Sequence, residues 1–125
     1  MDVLAIVVAT VVAFLLSGAY YALVPLPQRP AAQQEPAAPR AAVQAATELL
    51  RSAAVAGLVV GLMQTAGWTS PAEGALLGLA LWVLPVVLLV GSVVHEGTPA
   101  RAAVAHGGDW LIKLLAIGAL VGALG

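Results

Sequence analysis

Four long apolar runs, broken by short polar connections, set the pattern of this chain. They cover 3–23, 49–66, 72–94 and 110–124. A bilayer core about 30 Å thick needs ~20 helical residues at ~1.5 Å each. The first and third runs meet that length. The second does so once Leu49, Leu50 and the stems of Glu48 and Arg51 reach the interface, as snorkelling permits. The fourth just spans. The pattern predicts an all-α membrane protein: a single domain over 1–125 with four transmembrane helices in a small bundle. The helices are expected at about 3–23, 47–66, 72–94 and 109–124, with a Pro/Ala-rich connection at 24–46. The first run reads as a retained helix rather than a cleaved signal, because Met1 and Asp2 offer no positive start and the run exceeds the usual ~7–15-residue core.

Composition agrees with that class. Apolar residues make up 62% of the 125 residues and charged residues 9%, against ~45–50% and ~25% in an average soluble domain. The mean hydropathy is +1.02. A net charge of −1 argues against nucleic acid as a partner, which calls for a clustered basic footprint. The chain has no cysteine, hence no disulfide framework and no thiol chemistry.

Charge placement predicts orientation. All five basic residues fall in or beside the first and third connections: Arg29, Arg40 and Arg51, then Arg101 and Lys113. By the positive-inside rule those connections are cytoplasmic and both termini extracytoplasmic. The expected home is the bacterial cytoplasmic membrane, with the lipid bilayer as the first partner.

The first connection holds Pro25, Pro27, Pro30, Pro36 and Pro39, so its first half is expected to be extended. Arg40 to Ala46 favours helix leading into the second span. Ser70, Pro71 and Glu73 read as a capping box with proline at the first helical position. Beyond Thr98 and Pro99, a short helix is expected to stop at Gly107 and Gly108. Tyr20, Tyr21, Trp68 and Trp110 take interfacial belt positions, whereas Trp82 falls mid-span against a neighbouring helix or lipid.

Within the spans, Gly57 and Gly61, Gly74 and Gly78, and Gly118 and Gly122 form three GxxxG pairs. Ala5, Ala9, Ala13 and Ser17 repeat the same spacing in the first helix. Such stripes let backbones approach closely, either within one bundle or between copies in a homo-oligomer. Pro85 is expected to kink the third helix by freeing a carbonyl near Leu81.

Polar residues in or near spans are the candidate chemistry. Asp109 and Lys113 are spaced to pair at i, i+4, and Lys113 can also snorkel to the cytoplasmic surface. Glu96 ends a helix where the dipole disfavours an anion, so Arg101 or Lys113 is expected to compensate it. His95, Glu96, Arg101, His106, Asp109 and Lys113 thus form a candidate polar cluster, whose spacing matches no metal motif. No cofactor or metal is expected. No nucleophile elbow or phosphate loop occurs, so the expectation is not an enzyme.

Leu81, Trp82, Val83, Leu84 and Pro85, then Glu96, Gly97, Thr98 and Pro99, then Gly108, Asp109, Trp110 and Leu111 with the Gly118 and Gly122 tail, resemble the bacterial domain-of-unknown-function family 1761. Ser17, Gly18, Ala19, Tyr20 and Tyr21 are similar to that family's small-then-aromatic end of the first helix. The chain departs from the pattern at Thr98, where a basic residue is usual, at Asp109, where an aromatic is usual, and at Lys113, where a small polar residue is usual. The resemblance implies a small four-helix membrane protein and adds no mechanism.

Two readings of function follow. One is a non-enzymatic structural or partner-binding bundle, pairing with itself or another membrane protein. The other is a subunit of a small oligomeric transporter or channel.

Overall fold

A computed structural model describes residues 2–24 and 37–125. It contains five helical segments: α1 (Asp2–Leu23), α2 (Ala37–Ala66), α3 (Pro71–Leu81), α4 (Val83–Glu96) and α5 (Ala100–Leu124). Segments α3 and α4 together make one span, so four helices are long and apolar enough to cross a membrane. The proline-rich half of the first connection, including Arg29, lies outside the described residues.

Local chemistry explains each boundary. Helix α2 starts at Ala37, three residues before the helical lead-in expected from Arg40, and carries Pro39 in its first turn. The first backbone N–H groups of a helix have no partner within it, so proline costs little there. Gly67, at φ 72°, ends α2: Trp68 N–H donates to the Met63 carbonyl at 2.9 Å and Gly67 N–H to that of Gln64 at 3.2 Å. Only a residue tolerant of left-handed backbone closes a helix this way. Three residues on, Ser70 caps α3. Glu73 N–H donates to Ser70 Oγ at 3.1 Å, and the Glu73 carboxylate accepts from Ser70 N–H at 3.0 Å and Thr69 N–H at 2.8 Å.

The third span is interrupted at Trp82, between α3 and α4. Pro85 has no N–H to donate four residues back, so the helical ladder loses the bond to Leu81.

The fourth helix differs most from expectation. No stop occurs at Gly107 and Gly108; α5 runs unbroken from Ala100 to Leu124. Two glycines cost a helix roughly 1 kcal/mol each against alanine, but here both admit neighbours. A Cβ on Gly108 would collide with the Tyr20 hydroxyl, and one on Gly107 would touch Leu89. Trp82 Nε1 donates to the Gly107 carbonyl at 2.8 Å, tying the break in the third span to α5. Trp110 and Asp109 accordingly lie well inside α5 rather than at an interfacial start.

Helix α5 contacts every other helix and stands between the α1/α2 pair and the α3/α4 pair. Its approach to α3 is set by glycine. A Cβ on Gly74 would overlap the Gly118 carbonyl, and one on Gly118 would overlap that of Gly74. Gly78 meets the Leu114 carbonyl and Gly122 that of Ser70. The register 70–122, 74–118, 78–114 is that of two antiparallel helices in backbone contact, stepping four residues at a time. Gly57 and Gly61 behave differently. A Cβ on either meets nothing within 4 Å, which corrects their expected packing role within the bundle. The buried face of α2 is instead Ser52, Ala56, Val59, Val60 and Met63.

On the other side of α5, Ala5, Ala9, Ala13 and Ser17 are the buried residues of α1. With Ala56, Val59, Val60, Met63, Ile117 and Val121 the three alanines of α1 form a closely packed apolar core. Lipid-like surface lies outside it: α4 has no buried residue, and Leu84, Val87, Leu88 and Val94 are exposed. Hydrophobic residues facing out and small residues facing in are what a bilayer solvent favours.

Candidate functional site

The apolar core gives way, partway along the bundle, to a network of charges. Lys113 sits about 20 Å along α5 from its start and about 17 Å from its end, at ~1.5 Å per residue. Helical side chains lean toward their own N-terminus, which directs Lys113 toward the end of the bundle where α5 begins. It stops short of the surface. Its Nζ donates to Glu48 Oε1 at 2.6 Å and to Asp109 Oδ2 at 2.8 Å, and the side chain is 1% accessible. Snorkelling to the surface is therefore corrected: two internal carboxylates hold the ammonium.

Glu48 was absent from the candidate residues and is the centre of the network. Its Oε1 also accepts from Ser52 Oγ at 3.2 Å, one turn further along α2. Arg51 approaches its other oxygen, with 3.9 Å from Nη1 to Oε2. The Arg51 guanidinium lies 4.8 Å from the centre of the Trp110 ring, and Lys113 Nζ lies 4.0 Å from it. Both are within range of an attractive cation–π contact. Trp110 thus serves as a seat for cations rather than an interfacial anchor.

Two carboxylates meet two cations in this network, and the four are unevenly buried. Glu48 and Asp109 contribute two carboxylates and Lys113 one ammonium; Arg51, 51% accessible, stands half outside. Asp109 Oδ1 is buried with no hydrogen-bond partner, an arrangement that ordinarily costs stability.

Beside this network a cleft of about 570 Å³ opens between α1 and α2. Phe14, Ser17, Gly18 and Tyr21 form one wall, Thr47, Glu48 and Arg51 the other, and His106 closes the end. Tyr21 Oη and His106 Nδ1 share a hydrogen bond of 2.6 Å, and Tyr20 meets Tyr21 edge to face at 5.2 Å.

Of the six residues in the candidate polar cluster, the fold brings Asp109 and Lys113 into contact and sets His106 at the neighbouring cleft. His95, Glu96 and Arg101 are exposed and stand apart. Glu96 accepts from Ser92 Oγ at 3.3 Å, and the described ion pairs involve neither it nor Arg101, contrary to the expected compensation. No three His, Asp or Glu side chains converge as a metal site among the described residues.

A further polar pair marks the end of the bundle where both termini lie: Gln64 Nε2 donates to Asp2 Oδ2 at 2.6 Å. It flanks a smaller hollow of about 290 Å³ beside Trp68 and Thr69. The packed Ala5, Ala9, Val59, Met63 and Val121 fill the bundle between that hollow and the charged network.

The class defined by these features is an all-helical protein with four helices fit to cross a membrane and one charged network enclosed among them. The chain belongs to the family described as Protein of unknown function (DUF1761), which matches residues 4–122. No curated protein and no solved structure matches it.

Proposed function

We propose that this chain is a non-enzymatic integral membrane protein of the bacterial cytoplasmic membrane, a packed helical bundle that binds a partner or ligand at one end. In this reading both termini are extracytoplasmic, and the cleft beside Glu48 opens toward the cytoplasmic half. The observation that carries it is the combination of a dry core with an enclosed ion network. Ala9, Ala13, Ala56, Val59 and Ile117 are fully buried, so one chain is a solid bundle rather than a pore. Intramembrane charges persist where they pair and serve a function. Here Lys113 takes up oxygens of both carboxylates, which suits positioning and binding better than proton transfer to a substrate.

The transporter-subunit reading draws on the break at Trp82 and Pro85, since interrupted spans can move. A single-cysteine accessibility scan of membranes over 78–88, with controls at Ala41 and Thr69, separates the two. The native chain has no cysteine, so background labelling is nil. A silent span, with Ala41 reactive from inside and Thr69 from outside, is the expected result. Periodic labelling of 78–88 by a water-soluble reagent would move the transporter reading ahead. Labelling of Ala41 from outside would reverse the orientation.

A further inference from the structure

We propose that the cleft between α1 and α2 is a binding site for an amphiphilic organic monocation, with Glu48 as its counter-ion. The proposal names a ligand class for the bundle described above and rests on that membrane placement.

Size and lining come first. About 570 Å³ falls within the ~300–1,000 Å³ range of small-molecule sites. Phe14 and Tyr21 give the cleft aromatic surface, and Gly18 leaves its rim without a side chain. Such a lining suits a hydrophobic ion that reaches the site from the bilayer.

Charge selects the sign. The network holds two carboxylates against the buried Lys113 ammonium and the half-exposed Arg51 guanidinium, so Arg51 is the cation whose place a ligand could take. Glu48 Oε1 is saturated by Lys113 and Ser52, while among the described residues Oε2 has only Arg51, at 3.9 Å. Arg51 is half exposed and has a second seat on Trp110, so it can withdraw without losing all its contacts. A monocation entering beside Oε2 then replaces the withdrawn Arg51 as counter-ion and gains cation–π attraction from the aromatic wall. An anion in the same place, beside Oε2 with Arg51 withdrawn, would set a third negative charge next to Glu48 and Asp109 with Lys113 the one buried cation, which is disfavoured. A bare divalent ion is poorly served, because it requires several converging oxygens and Lys113 stands between the two carboxylates.

The test uses two probes of nearly the same shape and opposite charge. The purified full chain in phosphatidylcholine nanodiscs is titrated calorimetrically with tetraphenylphosphonium and with tetraphenylborate. Saturable binding of the cation, above that of empty nanodiscs, is expected, with none for the anion. Glu48→Gln should weaken cation binding at least tenfold. Gly18→Leu should abolish it while leaving the unfolding temperature unchanged, because Gly18 lines the cleft and a Cβ there meets nothing within 4 Å. The proposal is overturned if folded wild-type protein shows no saturable cation binding, if tetraphenylborate binds as well, or if Gly18→Leu binds like wild type. A chain that does not incorporate into nanodiscs at all would overturn the membrane placement, and the site with it.

Discussion

The two faces of α5 are held by opposite kinds of chemistry. Toward α3 it presents Gly118 and Gly122, and the contact is backbone against backbone. Toward α2 it presents Lys113, held by Glu48 and by Asp109 of its own helix, and the contact is charge against charge, while α1 packs its alanines into the apolar core with Ile117 and Val121. The first junction tolerates no added atom; the second tolerates no lost one. Close approach is how helices associate where lipid is as apolar as leucine, and it leaves no cavity for a ligand. An enclosed ion network costs desolvation that pairing only partly offsets, so its retention points to a use. The cleft lies on the charged side.

That contrast can be broken from either side. The largest effect is expected for Lys113→Met, which strands two carboxylates: a loss of about 3–5 kcal/mol, read as thermal unfolding in detergent. The triple variant Glu48→Gln, Asp109→Asn, Lys113→Met should recover most of it. A triple variant no better than the single one would show that the network acts through shape rather than charge. Next comes Gly118→Ala, whose Cβ falls on the Gly74 carbonyl. Overpacking of that kind costs about 1–3 kcal/mol, and Gly118→Leu should cost more; unchanged stability of both would remove the glycine junction from the account. Trp82→Phe deletes the bond to the Gly107 carbonyl and should cost about 0.5–1.5 kcal/mol, measured in the same way. The smallest effect belongs to Gly57→Ala, within about 0.5 kcal/mol of zero, because its Cβ meets open space. A large loss there, together with reduced crosslinking between copies, would reveal a homo-oligomer face.

Residue by residue, legibility tracked how local the deciding interaction was. The α1 stripe of Ala5, Ala9, Ala13 and Ser17, the Ser70–Glu73 cap and the Asp109–Lys113 pair depend on spacing within one helix, and all were readable. The GxxxG pairs were equally visible, but spacing does not say which stripe meets a partner: α3 and α5 use theirs against each other, whereas α2 turns Gly57 and Gly61 away. Glu48 went unrecognised because an acidic residue near the start of a short span reads as an interfacial one. A signal did exist. A lysine inside an apolar run needs a counter-ion, and Glu48 is the acidic residue near the corresponding depth of another span. The start of α5 differs from expectation because paired glycines usually punctuate a helix, while here they make room for Tyr20 and Leu89.

By itself the sequence determined the class: four apolar runs of bilayer length predict four helices long and apolar enough to cross a membrane, since a helix satisfies its backbone polar groups within its own segment. It also determined the capped turn between α2 and α3 and the break near Pro85, which arise from bonds a few residues apart. The tertiary structure alone decided that Lys113 is shared by Glu48 and Asp109, that Arg51 and Lys113 meet over Trp110, and that a cleft opens beside them. Those contacts join residues up to 65 positions apart, and no periodicity along one helix records which face of another it will meet.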